Sequence, residues 1–173
     1  MKFDALVLID CWEEDTWDTT VRKEKATAFH KRLAKFVAKH EFKQVIFATA
    51  NYKARPTSSW LVRNITNSSK GLLPKTQIEN FYEFYRTGIK PRDKLLVGGA
   101  AWNLCVHGNQ IGLINLMNEE HFSILTHPEV VDSYIDDRLP VTIETILSDN
   151  RIRWNSANPE GFMVASYVIN RRK

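Results

Sequence analysis

The residues best suited to chemistry are a cysteine and an aspartate, each placed at the end of an apolar run. Lys94-Leu95-Leu96-Val97 reads as a buried strand, Gly98-Gly99-Ala100-Ala101 as a tight turn, and Asn103 to Asn118 as an apolar helix whose first turn holds Cys105. Amide groups at a helix start carry about half a positive charge, which favours thiolate over thiol and would make Cys105 a nucleophile. The same residue could instead be a buried small side chain, a common fate of free cysteine. The glycine pair lets backbone approach closely at the carboxyl end of the strand, where open α/β sheets put their ligands, or it could be a plain packing turn. Asp10 ends the run Phe3 to Ile9, so it too would lie at the sheet's carboxyl edge. A carboxylate beside a thiol is a general base. A strand-end turn or a helix cap is the plainer role for such an aspartate.

For Asp10 and Cys105 to meet, their strands must be central neighbours. After a polar loop with Trp12 and Trp17, Asp18 or Thr19 can cap a helix from Thr20 to about His40, whose stripe is Val21, Phe29, Leu33, Phe36 and Val37. Gln44 to Ala50 is the second strand. The stretch from Asn51 to Lys70 reads as a long connection with turns at Arg55-Pro56 and Asn67-Ser68-Ser69, and its length suggests a functional excursion. Gly71 to Lys75 is expected as a brief third strand and Ile78 to Tyr85 as a short aromatic helix. Beyond the cysteine segment follow a fifth strand at Phe122–Leu125, a helix at Val141–Leu147 and a sixth strand at Ile152–Trp154; Gly161 to Asn170 suits either helix or strand. Such alternation predicts one α/β domain over residues 1–173, with a doubly wound, mainly parallel sheet of about six strands and helices on both faces.

Composition removes several function classes. A hydrophobic content of 43% and a charged content of 25% in 173 residues suit one globular domain with a full core. No apolar run is long enough for a membrane span, and Met1-Lys2-Phe3-Asp4 leads straight into a strand, so a cytoplasmic protein without membrane contact is expected. The net charge of +4 is spread over Arg22, Lys23, Lys25, Lys31, Arg32, Lys35 and Lys39 and the tail Arg171-Arg172-Lys173, which a solvated helix face explains. A nucleic-acid module using that basic helix is disfavoured by the lack of a recognised motif. Neither glycine-rich phosphate loop occurs, and Trp12 stands where an aspartyl-phosphate enzyme would need a second acid. Two cysteines without metal spacing make no zinc site, and Cys11 should point from the strand into the core. His30 and His40 fall on the basic helix, His121 and His127 in turns. His107, two residues past Cys105, cannot face it along a helix.

Ala5-Leu6-Val7-Leu8-Ile9-Asp10 resembles the first strand of isochorismatase-like cysteine hydrolases, which ends in their catalytic aspartate. Leu96 to Val106 (LVGGAAWNLCV) resembles the nucleophile segment of the same family, in which a glycine ends the strand, an alanine two residues later follows a cis peptide, and the cysteine lies four residues beyond. Gly99, Ala101 and Cys105 keep that spacing. Phe122 to Asp132 resembles the next strand and loop. The resemblance implies a Rossmann-like three-layer sandwich, a cis Ala100–Ala101 bond, and a Cys-Asp-Lys triad. In it Cys105 would be the nucleophile, Asp10 the proton acceptor and then donor, and a lysine the group that lowers the thiol pKa. Lys75 is the choice over Lys70 and Lys53, because an apolar run precedes it and an aromatic helix follows; a solvated lysine at a helix start is its other reading. The N–H groups of Ala101 and Cys105 would form the oxyanion hole.

This chain departs from the family at Trp102, where a small hydroxyl residue is usual, and at Trp12, where a polar amide is common. With Trp17 these indoles would line a narrow cleft for a flat or compact substrate group, or be plain core. Asn51-Tyr52-Lys53 offers none of the ligands by which some members bind a metal, so no metal and no cofactor are expected. The implied activity is hydrolysis of a small-molecule amide-like (C–N) or ester substrate by a homo-oligomer. The alternative is a catalytically silent protein of the same fold, acting as a binding or assembly module.

Overall fold

The structure is a computed structural model and describes residues 1–50, 53–69, 72–119, 121–133 and 140–169. Lys70, Asn51 and Tyr52, Gly71 at the start of the expected third strand, Asn170 and the basic tail Arg171–Lys173 lie outside the described residues.

Strand β1 (Lys2–Ile9) is apolar on both faces because both are covered: Ala5 to Ile9 have no exposed surface. It lies between β2 (Glu41–Ala48) and β4 (Lys94–Gly99), parallel to both. Between them in sequence come α1 (Thr20–Lys39), α2 (Ser59–Ser68), β3 (Lys75–Ile78) and α3 (Phe81–Arg86). After β4 follow α4 (Cys105–Gly108), α5 (Leu113–Asn118), β5 (Ser123–Thr126), α6 (Ile143–Leu147), β6 (Ile152–Trp154) and β7 (Met163–Val168). The seven-stranded sheet has the order β3-β2-β1-β4-β5-β7-β6, with β7 antiparallel to both β5 and β6. The ambiguous segment after Gly161 is therefore a strand, and the sheet has one strand more than expected.

Chain direction across the sheet reverses at β1. From there β2 and β3 build one way and β4 and β5 the other, so right-handed crossovers put α1 and α2 on one face and α3, α4 and α5 on the opposite one. The carboxyl ends of β1 and β4 form the switch point, the ligand position of such sheets. Among the described residues no helix is long and apolar enough to cross a membrane.

Local chemistry explains the elements. Thr19 caps α1 by accepting the Arg22 N–H at 3.2 Å, and the expected stripe is buried except for Val21, which is 56% exposed. The region from Asn51 to Lys70 holds a helix that the sequence reading missed. Ser58 caps it, and Leu61 and Ile65, one turn apart, are its buried face. The single helix expected from Asn103 to Asn118 is two short ones. Asn109 interrupts it by taking an extended backbone and accepting the Ile111 N–H on its own side chain, and Gly112 packs so closely under His107 and Asn109 that a side chain there would collide.

Candidate active site

Strand register sets Asp10 next to the turn that leads to Cys105. Ile9 is level with Ala48 on one side and Gly99 on the other, so Asp10 and Ala100 leave the sheet side by side. The Ala100 N–H still bonds the Ile9 carbonyl at 3.0 Å. Gly99 has a φ of 123°, and a β-carbon on it would sit 2.0 Å from the Ile9 oxygen, so this approach requires glycine. Asp10 has a φ of 50°, a left-handed conformation that aspartate tolerates better than most residues. The peptide between Ala100 and Ala101 is cis.

The Cys105 thiol lies beside the Asp10 carboxylate, close enough for each to shift the other's pKa. Asp10 is 2% exposed, and its oxygens accept the Ala50 N–H at 3.0 Å and the Asn109 amide at 3.4 and 3.5 Å. The Trp12 indole N–H faces the same carboxylate but falls short of full hydrogen-bond geometry. Burial raises the Asp10 pKa above the ordinary carboxylate value, and these donors oppose the rise. The thiol does not behave as its helix position led us to expect. Burial and then the Asp10 charge push Cys105 up to about 12, against the opposing pull of the Ala101 N–H and the Arg55 guanidinium. A helix of four residues carries little dipole to offset this. At neutral pH the Cys105 sulfur therefore keeps its proton.

Cys105 opens on a cleft of about 330 Å³, walled by Trp12, Trp17, Arg55, Leu104 and the Ala100–Ala101 turn. The two indoles pack at 4.9 Å, and the Arg55 guanidinium lies 4.4 Å over the Trp12 ring. Arg55 is held there because its segment runs beside the loop after Asp10: the Glu13 N–H bonds the Pro56 carbonyl at 2.8 Å and the Ser58 N–H bonds that of Cys11 at 2.9 Å. At the rim Arg22 and Asp18 form an ion pair at 2.8 Å. Behind this wall His30, expected on a solvated face, is 2% exposed and bonds Glu14 at 2.5 Å, while Ser58 donates to the same carboxylate oxygen at 2.8 Å. The Trp17 indole N–H is buried with no hydrogen-bond partner among the described residues.

Two expected site residues lie elsewhere. Lys75 begins β3 instead of ending it, so its amine is on the wrong side of the carboxyl edge; it donates to Gln44 Oε1 at 3.0 Å and to the Thr87 carbonyl. The carboxyl end of β3 is Ile78, whose carbonyl accepts the Thr49 N–H. Lys53 is exposed and does not wall the cleft. Trp102 is 3% exposed and belongs to the core, with its ring 4.5 Å from His107 and 5.9 Å from Trp154. Its backbone N–H is tied to the Asp132 carbonyl at 2.7 Å, which sets this residue behind the turn. Cys11 is buried, as expected of its place on the strand.

Asn109 and Arg55 are the site residues that sequence reading missed. Gly108-Asn109 is a turn signal inside an apparent helix and could have flagged the first, and the Arg55-Pro56 turn placed the second in a loop without indicating its direction. Among the described residues no three His, Cys, Asp or Glu side chains converge as a metal ion would require. Comparison of the chain with protein-family models, with curated proteins and with solved structures returns no match.

Proposed function

We propose that this protein is a cysteine hydrolase of the isochorismatase-like kind, acting on a compact amide or ester. The observation that carries the reading is that Cys105, in the wall of a cleft, lies beside the Asp10 carboxylate. As sulfur attacks the substrate carbonyl, the thiol proton passes to Asp10, so that no free thiolate need accumulate. The tetrahedral oxygen takes its negative charge towards the N–H groups of Ala101 and Cys105, a stabilisation typically worth about 3 to 4 kcal/mol. Collapse expels the amine or alcohol, which takes the proton from Asp10. The thioester is then attacked by water, whose proton goes to Asp10 and on to the departing sulfur.

Arg55, with Arg22 at the rim, supplies the cleft with positive charge in place of the expected lysine. The Arg55 guanidinium favours negative charge without moving protons. With the unpartnered Trp17 N–H it also suits a substrate that carries an acceptor or anionic group beside its carbonyl, which revises the apolar substrate expected from the indoles alone. Supporting tests are hydrolysis of small primary amides and of p-nitrophenyl acetate, with the activity lost in Cys105→Ala.

A second reading, a silent binding module, is favoured by the raised thiol pKa and by the placement of Lys75 and Lys53 away from the cleft. It predicts binding without turnover.

A further inference from the structure

The turn from Ala101 to Cys105 carries both proposed oxyanion donors at its ends, so their spacing depends on the three residues between them. Two of the intervening carbonyls are held from behind by side chains the mechanism does not use. His107 Nδ1 bonds the Trp102 carbonyl, and Arg151 Nη1 donates to that of Asn103 at 2.9 Å. Arg151 is aimed by Asp149, to which it donates from Nε at 3.0 Å, from Nη2 at 2.5 Å and from its backbone N–H at 2.8 Å. The Asp149 carboxylate also lies 3.3 Å from His107 Nε2, and both side chains are almost fully buried.

The order is set by the Arg151–Asp149 fork, because the unprotonated His107 Nε2 makes no hydrogen bond to the Asp149 carboxylate. Burial first, and then the Arg151 charge, hold His107 down at about 4, so it is neutral at pH 7 and its single ring proton serves the Trp102 carbonyl. Burial would raise Asp149, yet the bonds from Arg151 outweigh it and keep the carboxylate ionised. A forked guanidinium–carboxylate pair loses little freedom per bond, which suits it to hold a loop.

The geometry points to Arg151, aimed by Asp149, as a positioning residue that clamps the Ala101–Cys105 turn and sets the directions of its two N–H groups. The inference rests on the proposed function for its catalytic meaning, but the clamp can be tested without turnover. The probe is iodoacetamide at pH 8, with the modification rate read at Cys105 by peptide mass. The Ala101 N–H lowers the thiol pKa and so favours the thiolate, and a loosened turn slows alkylation.

Arg151→Ala and Asp149→Asn are both expected to slow it about tenfold, the effect of one pKa unit on the thiolate population. Charge acting through space would instead give opposite signs, because one variant removes a positive charge and the other a negative one. Opposite signs, or wild-type rates in both variants with native circular dichroism, would overturn the clamp. Arg151 is 29% exposed, so its variant has little core to lose, and Arg151→Lys serves as a second variant that keeps the charge and loses the fork. Lysine restoring the full rate would also overturn it. If both clamp variants slow alkylation while wild-type protein hydrolyses no ester, the clamp stands and the hydrolase reading falls.

Discussion

The Cys105 thiol lies beside the Asp10 carboxylate, each close enough to shift the other's pKa, just beyond the point where Asp10 and Ala100 leave neighbouring parallel strands at the same level. The carboxylate charge opposes a thiolate beside it, whereas the neutral thiol eases ionisation of Asp10, and burial opposes charge on either. The pair is therefore poorly arranged for a resting thiolate.

Asp10→Asn separates these two effects. Without the carboxylate charge the thiol pKa falls, so iodoacetamide should modify Cys105 faster at pH 8 than in the wild type. Hydrolysis should fall by about 10²- to 10⁴-fold, the usual worth of a general base. Slower alkylation in this variant would mean that Asp10 promotes the thiolate, contrary to the geometry.

The same variant has a stability signature. A buried carboxyl with a raised pKa binds its proton more tightly in the folded state, so its ionisation costs stability as pH rises past the ordinary value of about 3.9. Asp10→Asn should then be more stable than wild type at pH 7 in urea unfolding. That advantage should shrink as pH falls through the raised Asp10 value and vanish below the ordinary one.

Much of this site was legible in the sequence because it rests on local runs. An apolar stretch ending in Asp10 and another ending in Gly98-Gly99 specify two buried strands, and the glycines specify the close approach between them. What was not legible depends on contacts distant in the chain. Lys75 was placed by its neighbours in sequence, whereas β3 starts at that residue and so carries its amine away from the edge. Trp102 looked like a cleft wall because it sits between Ala101 and Cys105, but its ring is claimed by Trp154, from a strand some distance along the chain. The break at Asn109 was hidden by the apolar residues on both sides of it.

The tryptophans should divide by role. Trp102→Ala removes a buried ring and should cost about 3 to 5 kcal/mol in urea unfolding. Trp12→Phe should leave stability nearer to wild type while weakening the stacking of Arg55 and the binding of small acids or amides. Equal loss of stability in both would place Trp12 in the core as well.

Arg55→Ala should slow alkylation of Cys105 about two- to fivefold, the scale of a partly screened charge at the surface, and the difference should shrink in high salt. An unchanged rate at low salt would remove Arg55 as a cation of the cleft.

The most direct test of the hydrolase reading is intact-mass analysis of the protein mixed with p-nitrophenyl acetate. One acetyl group per chain should form on Cys105 within the initial burst of nitrophenol, decay as turnover proceeds, and be absent in Cys105→Ala. No adduct on Cys105, or the same adduct and turnover in Cys105→Ala, would contradict a cysteine nucleophile and leave the cleft as a binding site alone.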